Sequence, residues 1–187
     1  MSIKKSNHET EIKLPVENPA KARRLLRAAG YRVERRRHFE VNLVYDTPES
    51  TLSALQRLLR LRQAGKDVIL TYKGTPVAGR HKSREELEIS VSDAGAASLI
   101  LERLGFSRTF RYEKYRTEYR GRSREGVITL DETPAGTYLE LEGPPQWIDR
   151  TAATLGFQEK DYITLCYGGV WLEHCQRLGI APRDMVF

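Results

Sequence analysis

The chain has 187 residues, 40% of them apolar and 30% charged, with a net charge of +6 from 31 Lys+Arg against 25 Asp+Glu. This composition excludes a disordered chain, and no apolar run approaches the roughly 20 residues of a membrane helix. The positive balance favours an anionic partner and leaves nucleic acid, anionic lipid and polyphosphate open. Met1 to His8 is short and polar, without a secretory apolar core, and the two cysteines, Cys166 and Cys175, form no metal-binding spacing. A single domain spanning 1–187, with reduced thiols in a cytoplasm, is expected.

The first regular stretch is His8 to Leu14. Glu9, Glu11 and Lys13 fall on one parity and Thr10, Ile12 and Leu14 on the other, so an extended strand sends the charged groups to one face. Asn18 and Pro19 then read as the N-cap and first residue of a helix over Ala20 to Ala29, closed by Gly30. The segment Arg23 to Arg37, with its Arg35-Arg36-Arg37 run, is the most basic of the chain but has no aromatic interleaving and reads as a solvated surface. Phe39 to Asp46 is the next strand. Leu58 to Arg62 and Val68 to Lys73 form a hairpin across Gln63 to Asp67. Gly74 to Gly79 is a turn-rich loop.

Arg84 to Ser92 alternates as regularly as the first strand. Asp93 caps a helix that ends at Gly105. Tyr112 to Arg120, Val127 to Asp131 and Tyr138 to Glu142 are further strands. Two helices follow, about Trp147 to Leu155 and about Tyr162 to Leu178. The pattern therefore predicts about eight strands, mostly joined by short turns, and about four helices.

The polar parity of these strands is narrow. It carries Glu9, Glu11, Lys13, Arg60, Arg62, Lys73, Arg84, Glu86, Glu88, Lys114, Arg116, Asp131, Glu140 and Glu142 rather than a mixture with Ser, Thr and Asn. The apolar parity needs cover, which helices can supply from outside, and eight antiparallel strands suffice to close a barrel around one small ligand. The expected fold is thus α+β: a closed eight-stranded antiparallel barrel with helices packed on its outside and a charged interior. Two carboxylates about 5 Å apart at an effective dielectric near 20 repel by roughly 3 kcal/mol. Glu9 with Glu11, and Glu140 with Glu142, therefore need cations. Neighbouring Lys and Arg can supply them. Alternatively, carboxylate oxygens hold Mg²⁺ or Mn²⁺ while guanidinium groups hold phosphate.

Glu9-x-Glu11-x-Lys13 resembles the ExExK signature of the CYTH domain, the triphosphate tunnel metalloenzymes. Tyr45-Asp46-Thr47, Leu59-Arg60-Leu61-Arg62, Thr71-Tyr72-Lys73-Gly74, Arg84-x-Glu86-x-Glu88, Lys114-x-Arg116, Leu130-Asp131, Leu139-Glu140-Leu141-Glu142 and Lys160-Asp161-Tyr162 follow in that family's order. The resemblance implies a tunnel that binds a small-molecule triphosphate with Mg²⁺ or Mn²⁺. It implies metal ligation by Glu9, Glu11, Glu86, Glu88, Asp131, Glu140 and Glu142. Triphosphate binding falls to Lys13, Arg60, Arg62, Lys73, Arg84, Lys114, Arg116 and Lys160, and catalysis to Glu9, Glu11, Lys13 and Asp131. The family includes triphosphatases and class IV adenylate cyclases. Phe39-Glu40-Val41-Asn42 departs from the aspartate-bearing strand of the cyclases, so hydrolysis is favoured over cyclisation, and either over a non-catalytic polyphosphate binder. Nucleic acid is disfavoured, because many basic residues alternate into the proposed tunnel. A monomer or homodimer away from membranes is expected.

Overall fold

Whether a strand's charged parity faces water or a lumen depends on what covers the other parity. In the computed structural model, which describes residues 7–187, eight strands close into one antiparallel barrel. They are β1 (Asn7–Val16), β2 (Arg32–Asp46), β3 (Leu58–Ala64), β4 (Asp67–Lys73), β5 (Lys82–Val91), β6 (Ser107–Arg120), β7 (Val127–Thr133) and β8 (Gly136–Glu142). Their spatial order is β1-β5-β4-β3-β2-β6-β7-β8. The described helices are α1 (Pro19–Ala28), α2 (Thr51–Ala54), α3 (Ala94–Arg103), α4 (Pro145–Thr154) and α5 (Tyr167–Leu178). None is long and apolar enough to cross a membrane.

The largest apolar core lies outside the barrel wall. Ile12 and Leu14 of β1, Ile128 and Leu130 of β7, and Leu139 and Leu141 of β8 are fully buried beneath Ala22 and Leu26 of α1 and Ile148 and Ala152 of α4. Each such side chain contributes about 1.5–3 kcal/mol by leaving water. Asn18 caps α1 by accepting from the Lys21 N–H at 2.9 Å, and Pro19 opens the helix. Trp147 of α4 lies against Gly126 and Gly143, where an added Cβ would come within 2.4 and 2.9 Å of its ring. A second cluster packs α3 through Leu101 onto Tyr45, Leu61 and Val68. A third gathers Tyr112, Tyr138, Tyr167 and Met185 where α5 meets the barrel. Tyr112 and Tyr138 share the parities of Lys114 and Glu140, so α5 stands at one end of the lumen as well as outside it.

Four elements differ most from the sequence reading, one of them β6, which begins at Ser107 rather than Tyr112. β2 begins at Arg32, seven residues before Phe39, and pairs with β6 through register shifts at Val33, Arg35 and His38. The arginine run is therefore strand: Arg35 reaches Asp67 at 2.8 Å, and Arg37 pairs with Glu132 at 3.0 Å while lying over the Tyr115 ring. Long arginine stems can pack while their heads stay wet, which makes such a run look like a loop from composition alone. α5 begins at Tyr167 rather than Tyr162, because Ile163 is drawn into the barrel. The β1–β5 pairing stops at Glu11 opposite Lys82, and Lys13 exchanges both backbone hydrogen bonds with Ile163 at 2.9 Å. The short α2, absent from the sequence reading, is organised by Asp46, whose carboxylate accepts from the N–H groups of Thr47, Leu52 and Ser53, each at 2.8 Å.

Burial pushes the Asp46 carboxyl up, but these hydrogen bonds outweigh it and hold it below its ordinary 3.8. A depressed folded-state value means that the stabilisation is present above the unfolded value, near ~3.9, and is lost as pH falls through the folded one. Asp46→Ala is expected to cost about 1–2 kcal/mol at neutral pH, seen as a lower urea midpoint. The deficit should shrink toward zero as the titration approaches pH ~2.

Candidate active site

The lumen is a cavity of about 1140 Å³. Ten Lys and Arg side chains and eight Asp and Glu side chains line it, with Tyr112, Tyr167 and Thr129 among the neutral groups. The register explains the crowding: Glu9 faces Arg84 and Glu11 faces Lys82 across β1–β5, while Glu11 faces Glu142 and Lys13 faces Glu140 across β1–β8. A second, open hollow lies outside the barrel beside Tyr31, Arg32 and Arg122.

Most of these charges are matched in pairs. Lys13 reaches Glu140 at 2.8 Å and Glu11 at 3.4 Å, and Lys82 reaches Glu11 at 3.4 Å. Lys73 holds Glu9 and lies 3.0 Å from Glu86. Arg60 and Arg62 approach Glu88 at 3.5 and 3.9 Å. Burial would raise Glu11, but Lys13, Lys73 and Lys82 bring it down to about 2. Burial also opposes ionisation of Glu140, yet Lys13, Arg116 and Lys114 hold it well below the usual carboxylate range.

A second group of carboxylates is only partly compensated. Burial, with Glu9 and Glu88 nearby, pushes Glu86 up to about 8 against the pull of Lys73. Burial, with Glu9, Glu11 and Glu140 nearby, pushes Glu142 up to about 7. These upward shifts mark positions where a cation would relieve the repulsion. The donors are hard carboxylate oxygens, the set that suits Mg²⁺ or Mn²⁺. Among the described residues no three His, Cys, Asp or Glu side chains converge as a metal cage.

One buried cation of the lumen has no ion-pair partner among the described residues. Arg84 is 5% exposed and lines the lumen. Among the described residues it makes no ion pair or side-chain hydrogen bond, and its buried Nε is unpartnered. Residues 1–6 contain no carboxylate that could serve it. A buried charge left this way costs several kcal/mol unless an anion completes it.

Of the residues expected from the sequence, Glu9, Glu11, Lys13, Arg60, Arg62, Lys73, Arg84, Glu86, Glu88, Lys114, Arg116, Glu140 and Glu142 line the one lumen. Two do not. Asp131 is completely buried in the wall, where Lys114 at 2.8 Å, Arg116 at 2.7 and 2.6 Å and Tyr167 at 2.6 Å use its lone pairs. It positions those cations, with Oδ2 accepting from Lys114, Arg116 and Tyr167 and Oδ1 from Arg116. Lys160 lies exposed on a single 3-10 turn, Glu159–Asp161, outside the lumen. There the turn is held by Gln158 and Asp161, with the Tyr162 hydroxyl donating to Asp149.

The sequence reading also missed functional-face residues. Lys82 stands on the charged parity of β5 with Arg84, Glu86 and Glu88, although the sequence reading assigns it no site role. Glu40 and Asn42 are both buried on β2. Burial opposes ionisation of Glu40, but Lys114, Arg116 and a hydrogen bond from His38 keep it well below its usual range. Tyr167 comes from a helix, and no strand parity could have indicated it. Neither could the tether on the 74–81 loop, where Arg80 and His81 reach Asp149 of α4 at 2.7 and 2.8 Å.

A closed antiparallel barrel with its apolar core outside and ionised side chains within defines the class of charged tunnel barrels. Residues 7–165 match the CYTH domain, and the chain belongs to the CYTH domain family. A Methanocaldococcus jannaschii protein named a candidate adenylate cyclase is 27% identical over 134 residues, covering 72% of this chain and 75% of the relative. A candidate adenylate cyclase structure from Vibrio parahaemolyticus has a TM-score of 0.73 at 22% identity, covering 89% of this chain and 98% of its own. A Hippeastrum structure, described as an adenylyl cyclase candidate with a dominant triphosphatase activity, has a TM-score of 0.62 at 21% identity, covering 93% and 97%.

Asp131→Asn removes the counter-charge of two buried cations. It is expected to destabilise the fold by about 3–5 kcal/mol, measured as a fall in chemical-denaturation midpoint without added ligand.

Proposed function

We propose that the protein is a divalent-metal-dependent triphosphatase whose substrate lies in the lumen. The observation that carries this reading is Arg84, a buried guanidinium that is unpaired among the described residues, in a cavity where other buried cations have carboxylate partners. A triphosphate supplies the missing anion, and the planar guanidinium suits two phosphoryl oxygens at once. Arg60, Arg62, Lys73, Lys114 and Arg116 line the same lumen and can neutralise charge that builds on the reacting phosphoryl group and the leaving oxygen. Asp131 and Tyr167 hold Arg116 and Lys114 in place before substrate arrives.

Glu9, Glu86 and Glu142 would hold Mg²⁺ or Mn²⁺, with Glu11 on the same strand face. The cation, when bound, neutralises phosphate charge and supports the attacking water. Glu86 and Glu142 must first lose their protons. Cation affinity is therefore expected to rise as pH climbs through about 7 to 8. Calorimetry of Mg²⁺ binding in two buffers of different ionisation enthalpy should show proton release.

A second reading, cyclisation of a nucleoside triphosphate with pyrophosphate leaving, is favoured by the name of the M. jannaschii relative. Hydrolysis asks less of the site, because water needs no nucleoside to be placed. Incubating the purified protein with Mg²⁺ or Mn²⁺ and tripolyphosphate, thiamine triphosphate or ATP separates these readings. Orthophosphate release is expected; cyclic AMP with pyrophosphate would replace the triphosphatase reading by the cyclase one, and binding without turnover would leave a polyphosphate binder. Arg84→Gln should weaken tripolyphosphate binding by about 1.5–3 kcal/mol. Its melting temperature should hold or rise, because no native partner is lost.

A further inference from the structure

α5 begins at the edge of the lumen. Thr164, Leu165, Cys166, Tyr167 and Gly168 all line the cavity. Tyr167 fixes that helix end, with Lys13 and Lys114 over its ring and its hydroxyl donating to Asp131. The first-turn N–H groups of a helix have no intrahelical acceptors and carry the positive end of the helix dipole. A Ser, Thr, Asp or Asn at the N-cap ordinarily satisfies them. Here the N-cap is Cys166, which makes no capping hydrogen bond, and a thiol is a weak acceptor. The first backbone bond of the helix runs from the Val170 N–H to the Cys166 carbonyl. Among the described residues the amides of Tyr167, Gly168 and Gly169 find no acceptor.

Arg84 supplies a second, independent sign of a missing anion. It is nine-tenths buried, has no partner among the described residues and lines the same cavity. It shares the inward face of β5 with Lys82. Lys13, bridged through its backbone to Ile163 three residues before Cys166, lines the cavity together with Lys82. Uncommitted amides and an unpartnered buried cation thus line one lumen.

We propose that the first turn of α5, with Lys82 and Arg84, forms the subsite for one terminal phosphoryl group of the bound triphosphate. Its oxygens accept from the amides of Tyr167, Gly168 and Gly169, in the manner of an anion at a helix N-terminus. The assignment rests on the triphosphate reading and adds an orientation to it: one end of the polyphosphate abuts α5, and the chain of phosphoryl groups runs from there along the tunnel. A cysteine at the N-cap leaves the amides free for that group, which a hydroxyl or carboxylate would not.

Cys166→Ser and Cys166→Asp each restore a cap. Both should hold or raise the melting temperature while competing with the phosphoryl group for the amides, the aspartate with like charge as well. Calorimetric binding of inorganic tripolyphosphate, with and without Mg²⁺, is expected to weaken about fivefold in Cys166→Ser and about twentyfold or more in Cys166→Asp. Leu165→Asp sets the same charge on the cavity wall one residue outside the helix cap and should cost less. Unchanged affinity in both Cys166 variants, or an equal loss in Leu165→Asp, overturns the helix-end subsite and leaves the triphosphate reading standing. A wild-type protein that does not bind tripolyphosphate removes that reading itself.

Discussion

Ionised groups crowded into one lumen repel or attract one another at full strength only where water is scarce, and the wall of this barrel is arranged around that fact. Across β1–β8, Lys13 lies between Glu11 and Glu140; across β6–β7, Asp131 lies between Lys114 and Arg116. Each alternation of sign replaces lost hydration with a fixed counter-charge, and removing either partner would leave a charge that the lumen cannot solvate. The matching has gaps. Burial and neighbouring carboxylates push Glu86 and Glu142 toward the protonated form, and among the described residues Arg84 has no ion-pair partner, so the lumen favours an added cation and an added anion in one cavity.

The apolar side of the same strands explains why the charges stay inside. Ile12, Leu14, Leu139 and Leu141 have their cover in α1 and α4 rather than across the lumen. The helices therefore stabilise the barrel without filling it. Rotating any strand by one residue would bury its carboxylates under a helix and expose its leucines to the lumen, so core and site specify the same register. Lumen chemistry and exterior packing are two faces of one constraint.

That constraint is also why so much was legible from sequence. A strand that alternates Glu and Lys with Ile and Leu reports its own orientation, and the inward set of β1, β3, β4, β5 and β8 could be read residue by residue. What escaped came from geometry that alternation does not encode. Asp131 sits on the inward parity but is screened by the cations it binds. Lys160 follows the family's order of landmarks yet lies on an outward turn. Tyr167 and the α5 end approach the lumen along a helix axis. Ile163, in a segment read as helical, is strand-like because Lys13 needs a backbone partner where β5 has run out. The arginine run is solvated as its composition indicates, but its place in β2 escaped because the ion pairs to Asp67, Glu118 and Glu132 that line it up depend on distant strands.

The pairing of Lys13 with Ile163 also bears on how the molecule assembles. β1 takes its neighbours from β5, β8 and residue 163, all far along the chain, and no hairpin partner lies beside it in sequence. Closure of the barrel is therefore a late, long-range event with a high loop entropy to overcome, which places folding on the slow side for a protein of this size. Until β8 arrives, Ile12 and Leu14 stand on a strand with unpaired edges, the arrangement most open to pairing with another chain. The charged residues that alternate with them, Glu9, Glu11 and Lys13, keep that early strand soluble through repulsion and hydration. The same side chains thus guard the nascent chain before they line the finished tunnel.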